Sequence, residues 1–331
     1  MLWVIDNSAS MEPRQEELAE SLTRFMRLFD RGLVDYRIAV TTTDVLRDGG
    51  EFIGNPPIVT PTIADPVASF QRNVKVGTGG KGHEEAFEAA RLAIARERVR
   101  TAETLAERSG CLATCSAASA SSQCAADCER RYQPEFMRPD AHLYLVFVSD
   151  EQEQSFGEVR YFQRLFEGAL GVGNEDAVSV ATICGDVPSP PCQAEPGTRY
   201  VELAEATGGI VASICDATFE RHLERIALDA AGLKRKFTLS RPVDLETLAL
   251  EVRYRCDTEP GQIGRCQSET RDCQGATPEH PGIVCVPPPG ESDGWTWEPS
   301  TNALLFHGDA VPGLRSALVV SYEEDDSAEA K

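Results

Sequence analysis

No run of about eighteen apolar residues, the length a helix needs to cross a bilayer, occurs in the chain. Basic residues are scarce: 32 Lys and Arg stand against 53 Asp and Glu, a net charge of −21. That deficit argues against a nucleic-acid partner and against electrostatic attraction to anionic lipid. No two cysteines have Cys-x-x-Cys spacing, which weakens zinc-ribbon and thioredoxin readings. The five histidines, His83, His142, His222, His280 and His307, are scattered, and no His-Glu-x-x-His occurs. His142 opens an apolar run and reads as a satisfied core residue. A Gly-x-Ser-x-Gly elbow is missing too, so no catalytic constellation stands out and no enzyme is expected. There is no internal repeat.

One motif needs to be set aside. Gly77-x-Gly79-x-x-Gly82 is formally a dinucleotide fingerprint. It falls in the wrong strand–helix unit, and no acidic residue ending a next strand follows about 20 residues on. The loop also lacks the Gly-Lys-Ser/Thr ending of a phosphate-binding P-loop.

What the chain does have is alternation. The apolar run Leu2-Trp3-Val4-Ile5 reads as a strand. Pro13 then suits the first turn of a helix carrying Leu18, Leu22, Phe25, Met26 and Phe29 at helical spacing, closed by Gly32. Residues 36–43 (YRIAVTTT) read as a second strand, 48–66 as loop with a short edge strand, and 84–98 as a helix. Residues 142–148 (HLYLVFV) have the nearly continuous apolar character of a strand buried on both faces. Helices at 159–170, 200–207 and 217–233 alternate with strands at 177–183 and 209–214. This is the pattern of an α/β fold with a doubly wound, mostly parallel sheet. The pattern changes at residue 234. Up to residue 322 the chain shows Pro and Gly punctuation and alternating runs at 248–254, 295–297, 304–306 and 316–322. The expected organisation is an α/β domain over 1–233, a small all-β domain over 234–322 and an acidic tail over 323–331.

Eleven cysteines fall in three local groups, which suits disulfides in an oxidising compartment. Four of them sit in an insertion over 107–132. Cys111 and Cys115 are i, i+4 neighbours, as are Cys124 and Cys128, so each pair shares one helix face. The Ser- and Ala-rich residues 116–123 can turn the chain back. The resulting hairpin places Cys115 opposite Cys124 and Cys111 opposite Cys128 as nested rungs, with a four-cysteine zinc site as the competing reading. Cys256, Cys266, Cys273 and Cys285 would staple the small domain. Met1 lies one residue before the first strand with no export signal ahead of it. An exported protein whose natural amino terminus lies further upstream is the expectation.

The residues that speak most directly of function are Asp6-Asn7-Ser8-Ala9-Ser10, between the first strand and first helix. In an open parallel sheet, the carboxyl edge of the strands is where ligands bind. Asp6, Ser8 and Ser10 alternate, so a turning loop can aim a carboxylate and two hydroxyls at one point. All are hard oxygen donors, suited to Mg²⁺, Mn²⁺ or Ca²⁺ rather than to zinc. A turn with hydroxyl caps on the next helix is the plain alternative. Val148-Ser149-Asp150 ends the central strand at the same edge, bringing a second aspartate to it.

With Asp-x-Ser-x-Ser at its first strand end, the chain resembles the von Willebrand factor A family, whose metal-ion-dependent adhesion site opens with this motif. The resemblance covers about residues 1–232. It implies that two serines and a threonine from a second loop hold the metal, with aspartates often acting through water. It also implies one coordination position left for a partner's carboxylate. On that basis Asp6, Ser8, Ser10, Thr78 and Asp150 are the expected metal residues. The second loop departs from the family pattern, because Lys81 stands where the threonine usually lies, about five residues before the small helix residue matched by Ala86. Thr78 is three residues too early, and Glu84, at the helix start, is the alternative donor. A carboxylate there would make the ion less electrophilic. Asp44 could support the site from behind but reads better as a strand-end cap, and Glu151 and Glu153 as solvated loop charges. Residues 235–322, and the stretch from Arg199 to Cys215, resemble bacterial secreted and lipid-anchored members; by that analogy Cys192 pairs with Cys215 and Cys184 is left over.

These features point to an extracytoplasmic, divalent-cation-dependent adhesion module in the periplasm, at the cell surface or secreted. Its ion would complete its coordination with an Asp, a Glu or another anionic oxygen of a protein partner, and the β-domain would serve as a stalk or second contact surface. The alternatives are a metal-dependent hydrolase using the ion as Lewis acid, and an envelope protein in which the metal only stabilises the loops.

Overall fold

The computed structural model describes residues 1–31, 34–117, 122–138, 141–171, 177–232, 236–255, 273–274, 282–291, 294–299, 302–307, 310–312 and 316–323. They form two compact units, one of Met1–Thr23 with Asp35–Leu223, the other of Arg24–Val34 with Glu224–Lys331.

The first unit is built on a six-stranded sheet: β1 (Leu2–Ile5), β2 (Ile38–Thr42), β3 (Ile53–Val59), β4 (Leu143–Ser149), β5 (Val178–Cys184) and β6 (Val211–Ser213). The spatial order is β3-β2-β1-β4-β5-β6. All pairings are parallel except β2 with β3, which is antiparallel. β1, β2 and β4 are buried along their whole length, which explains their unbroken apolar sequence. Helices α1 (Glu12–Arg31), α2 (Pro66–Asn73), α3 (Ala86–Ala117), α4 (Ser122–Arg131), α5 (Val159–Glu167), α6 (Thr198–Ala206) and α7 (Glu220–Ala230) alternate with the strands. The expected α/β alternation is therefore present. Because β1 is flanked by β2 on one side and β4 on the other, the strand order reverses direction between β1 and β4. A crevice opens there, at the carboxyl ends of the strands.

Packing beneath that crevice centres on Phe87 of α3. Its ring lies 5.1 Å from Phe147 in β4, 5.3 Å from Phe162 in α5 and 5.6 Å from Tyr200 in α6, centroid to centroid. These tilted and edge-on contacts add to the burial of large apolar area. One aromatic on α3 thus ties the second-loop helix to β4, the strand whose end carries Asp150 on what is here the third loop.

Several expectations need correction. The stretch 48–66 contains a full seven-residue strand, β3, rather than a short one. Directly after it lies α2, an unexpected helix whose start is nevertheless written in sequence: Asp65 accepts a hydrogen bond from the Ala68 N–H at 3.0 Å, and Pro66 opens the helix. The second-loop helix, expected to run on into the cysteine hairpin, does so as one continuous helix of 32 residues, Ala86–Ala117. His142 is exposed and precedes β4 rather than lying in the core.

The hairpin itself carries the nested rungs: Cys111 bonds Cys128 and Cys115 bonds Cys124, so these cysteines are disulfide-bonded rather than zinc ligands. Cys192 bonds Cys215, and Cys184 is the buried free thiol. The expected turn residues 118–121, the helix-closing Gly32 and the tail 324–331 lie outside the described residues.

The second unit contains two antiparallel sheets. One has the order β13-β8-β10-β9, with β8 (Ala249–Arg255), β9 (Cys273–Gln274), β10 (Gly282–Cys285) and β13 (Ser316–Ser321). The other has β7 (Lys236–Thr238), β11 (Trp295–Glu298) and β12 (Ala303–Phe306) in the order β11-β12-β7. Phe237 and Phe306 stack edge-on at 5.4 Å. Cys285 is disulfide-bonded, whereas Cys256, Cys266 and the side chain of Cys273 lie outside the described residues. No helix among the described residues is long and apolar enough to cross a membrane.

Candidate metal centre

β1 delivers Asp6 to the crevice, and the Asp6 N–H donates to the Val148 carbonyl of β4 at 2.9 Å. The first and third loops therefore leave the sheet side by side. The Ser8 N–H donates to Asp6 Oδ1 at 2.7 Å, turning the loop so that its alternate side chains face one point. Ser8 Oγ lies 3.0 Å from Ser10 Oγ, and Ser10 Oγ donates to Asp150 Oδ1 at 3.0 Å. Asp6, Ser8 and Asp150 are buried, and Ser10 is exposed at the mouth. Four of the five expected residues thus converge on one spot from two loops.

The fifth does not join them. Thr78 is exposed and takes no part in these hydrogen bonds. The side chain of that region which reaches Asp6 is Glu84, fully buried and close enough for each carboxylate to perturb the other. The Thr43 hydroxyl donates to Glu84 Oε2. Backbone bonds fix Glu84 on both sides: Glu85 N–H to Thr43 O at 3.2 Å and Gln154 N–H to Glu84 O at 2.7 Å. Gly80 lets the second loop close over the first. Its N–H donates to Asn7 O at 2.8 Å, and a Cβ there would stand 2.2 Å from Asn7 Oδ1.

Two supporting residues carry no motif and were missed. Gln15 of α1 donates to the Asp6 carbonyl at 3.1 Å and to the Gly77 carbonyl at 2.9 Å, and accepts from the Gly77 N–H at 3.1 Å. It clamps the first loop to the second. Ser149 donates to Asp6 Oδ2 at 2.6 Å and fixes that carboxylate from the third strand end. A buried glutamine in the first turns of an otherwise amphipathic helix was the only available hint of the clamp.

Neighbouring acids fall into different roles. Asp44 Oδ1 accepts from the Arg47 N–H at 3.0 Å, the strand-end cap its position suggested. Glu151 is half-buried beside the site. Glu153 overturns its reading as a solvated charge. Its side chain is wholly buried, its Oε1 accepts from the Phe87 N–H at 3.2 Å and the Ser155 N–H at 3.0 Å, and its Oε2 lies 2.8 Å from Arg199 Nε. It caps the start of α3.

The electrostatics follow from crowding. Burial raises Asp6 above the usual carboxylate range despite its bonds from Ser149 and Ser8. Burial and then the Asp6 charge push Glu84 up to about 8. Burial and Asp6 raise Asp150 and Glu151 as well. Buried acids that repel one another form an environment that a divalent cation would relieve. Glu84 Oε1 and both polar atoms of the Asn7 side chain are buried with no hydrogen-bond partner among the described residues. Carboxylate and hydroxyl oxygens are donors for a hard cation, so the residues present fit such an ion. Asp6, Ser8, Ser10, Asp150 and Glu84 are those that would hold it.

No protein-family model and no curated protein matches the chain. Solved structures give loose likenesses. Proximal thread matrix protein 1 from the mussel byssus, solved with a zinc-occupied MIDAS motif, is 10% identical at a TM-score of 0.40, over 70% of this chain and 45% of that one. The conserved hypothetical protein BatB from Bacteroides thetaiotaomicron is 12% identical at 0.38, over 70% and 96%. The pilus adhesin SpaC from Lactobacillus rhamnosus GG, in its open conformation, is 10% identical at 0.42, over 97% and 38%. This chain therefore spans less than half the length of the mussel and pilus proteins.

Proposed function

We propose that this protein is an exported binding module of the von Willebrand factor A type, of the bacterial secreted or lipid-anchored kind, that captures a protein partner through a bound divalent cation. The ion, Mg²⁺, Mn²⁺ or Ca²⁺, sits among Asp6, Ser8, Ser10 and Asp150 and completes its coordination with an acidic or other anionic oxygen of the partner. The single observation that carries this reading is the hydrogen-bonded run from Asp6 through Ser8 and Ser10 to Asp150, which joins two strand ends at the sheet's switch point. Disulfides in the hairpin and between Cys192 and Cys215 support an oxidising compartment outside the cytoplasm.

The test is capture of partners from cell-surface extracts by the immobilised protein, in EDTA and after adding back Mg²⁺, Mn²⁺ or Ca²⁺, with a Ser8→Ala/Ser10→Ala double variant as control. Capture is expected to vanish in chelator, return with cation and fail in the variant. Metal affinity of the variant should fall by more than the roughly 10–100-fold that loss of an outer hydrogen-bond partner costs. Capture that survives chelation refutes the proposal.

A further inference from the structure

Building on that reading of the site, we infer that Glu84 supplies the second loop's direct oxygen donor in place of a threonine hydroxyl, so that the centre holds a resident calcium-class ion whether or not a partner is present. Two observations lead there. The first is placement. The Gln154 N–H holds the Glu84 carbonyl, the following N–H of Glu85 is held by the Thr43 carbonyl, and the Thr43 hydroxyl occupies only Oε2. The second is what remains. Oε1 is buried and meets no N–H or O–H group of another residue type among the described residues; the group beside it is the Asp6 carboxyl, and two acids side by side out of water are costly. A cation shared with Asp6 removes that cost.

Charge counting sets the chemistry. Asp6, Glu84 and Asp150 bring three negative charges to a doubly charged ion, leaving the loaded centre at −1; a threonine in the second loop would leave it neutral. A net negative centre keeps its ion without help and is a poorer magnet for an acidic side chain. Carboxylates able to bind through one or both oxygens, with two hydroxyls, also favour Ca²⁺. That ion accepts six to eight oxygens in flexible geometry, whereas Mg²⁺ demands an octahedron and retains its waters.

Calorimetric titration of the full, chelator-stripped chain with CaCl2 and MgCl2 tests this, beside thermal unfolding without added cation. The expected result for the unaltered protein is one Ca²⁺ site, tighter than Mg²⁺ by about tenfold or more, on the scale over which ligand charge tunes such sites. Glu84→Gln keeps the shape and should melt at least as high as the unaltered protein in chelator, yet lose most of the Ca²⁺ affinity. Glu84→Thr should abolish the Ca²⁺ preference and strengthen cation-dependent retention on an immobilised aspartate-containing peptide. Thr78→Ala should change nothing. A purely structural Glu84 would give a lower melting point for Glu84→Gln and unchanged titrations, and that outcome overturns the inference. So does loss of binding in Thr78→Ala with Glu84→Gln intact. If Ser8→Ala/Ser10→Ala also titrates like the unaltered protein, the metal centre itself is refuted, a distinguishable failure.

Discussion

Among single residues, Arg199 carries an energetic burden its half-exposed position hides. Its guanidinium reaches Glu153 Oε2 at 2.8 Å, donates to the Gly157 carbonyl at 2.8 Å and lies 5.7 Å from the centroid of Phe87. Glu153 has no water to turn to, and burial raises its pKa even with Arg199 beside it. Removing one partner of such a pair leaves the other charge buried and uncompensated, a loss of about 3–5 kcal/mol. Because Arg199 is itself partly exposed, the lower end applies to Arg199→Ala, measured by urea unfolding at pH 7. The sign of its pH dependence is fixed. Without Arg199 the folded-state pKa of Glu153 rises further above its unfolded value, so the penalty is present at neutral pH and fades as pH falls towards the unfolded carboxylate range. A deficit as large at pH 4.5 as at pH 7 would contradict this account. Glu153 also shows where reading a sequence fails: nothing local separates a glutamate that caps a helix 66 positions away from one that points into solvent.

At the level of elements, the cysteine hairpin and the second loop make an instructive contrast. The i, i+4 spacing of Cys111 with Cys115 and of Cys124 with Cys128 is a local geometric constraint, and the structure realises it as two nested disulfides closing 17 and 9 residues. Which of Thr78 and Glu84 lies beside Asp6 is not legible that way. The answer depends on Gly80 packing over Asn7 and on Thr43 meeting Glu84, contacts between segments 41 to 73 positions apart. Helix α2 is a third case, since its Asp65–Pro66 start is legible but lies inside a Pro- and Gly-rich stretch that reads as loop. The nested rungs have a mechanical consequence. Once one is closed the unfolded hairpin is already constrained, so the second adds less than the roughly 3 kcal/mol of a lone 15-residue closure. Replacing either pair by serine should thus cost about 1–2 kcal/mol, and replacing both should cost more than the sum. Melting temperatures of the three variants check this. Amide exchange should quicken in residues 105–131 while β1 and β4 stay protected, and strictly additive losses would disprove the coupling.

For the molecule as a whole, the strand order and the charge act together. Alternating helices and strands made the parallel sheet readable from sequence, because unbroken apolar runs such as Leu2–Ile5 occur where both faces are covered. The sheet then fixes the carboxyl ends of β1 and β4 as the crevice where the strand order reverses, and places Asp6 and Asp150 there. Around that crevice stands a chain of net charge −21, and some of its cations are engaged in ion pairs such as Arg24 with Glu224 and Arg91 with Glu88. A field of one sign concentrates counter-ions, and salt screens it beyond about 8 Å at physiological ionic strength. If the proposed centre binds its ion, part of the affinity would therefore belong to the whole molecule rather than to the direct ligands. Raising NaCl from about 10 mM to 150 mM, where the screening length contracts from about 30 to 8 Å, should weaken Ca²⁺ binding several-fold. Neutralising distant acids on the first unit's surface should flatten that salt dependence while leaving the high-salt affinity unchanged. The measurement is calorimetric Kd across a salt series. A Kd that does not move with salt would confine the recognition of the ion to the side chains touching it and remove any role for the acidic exterior.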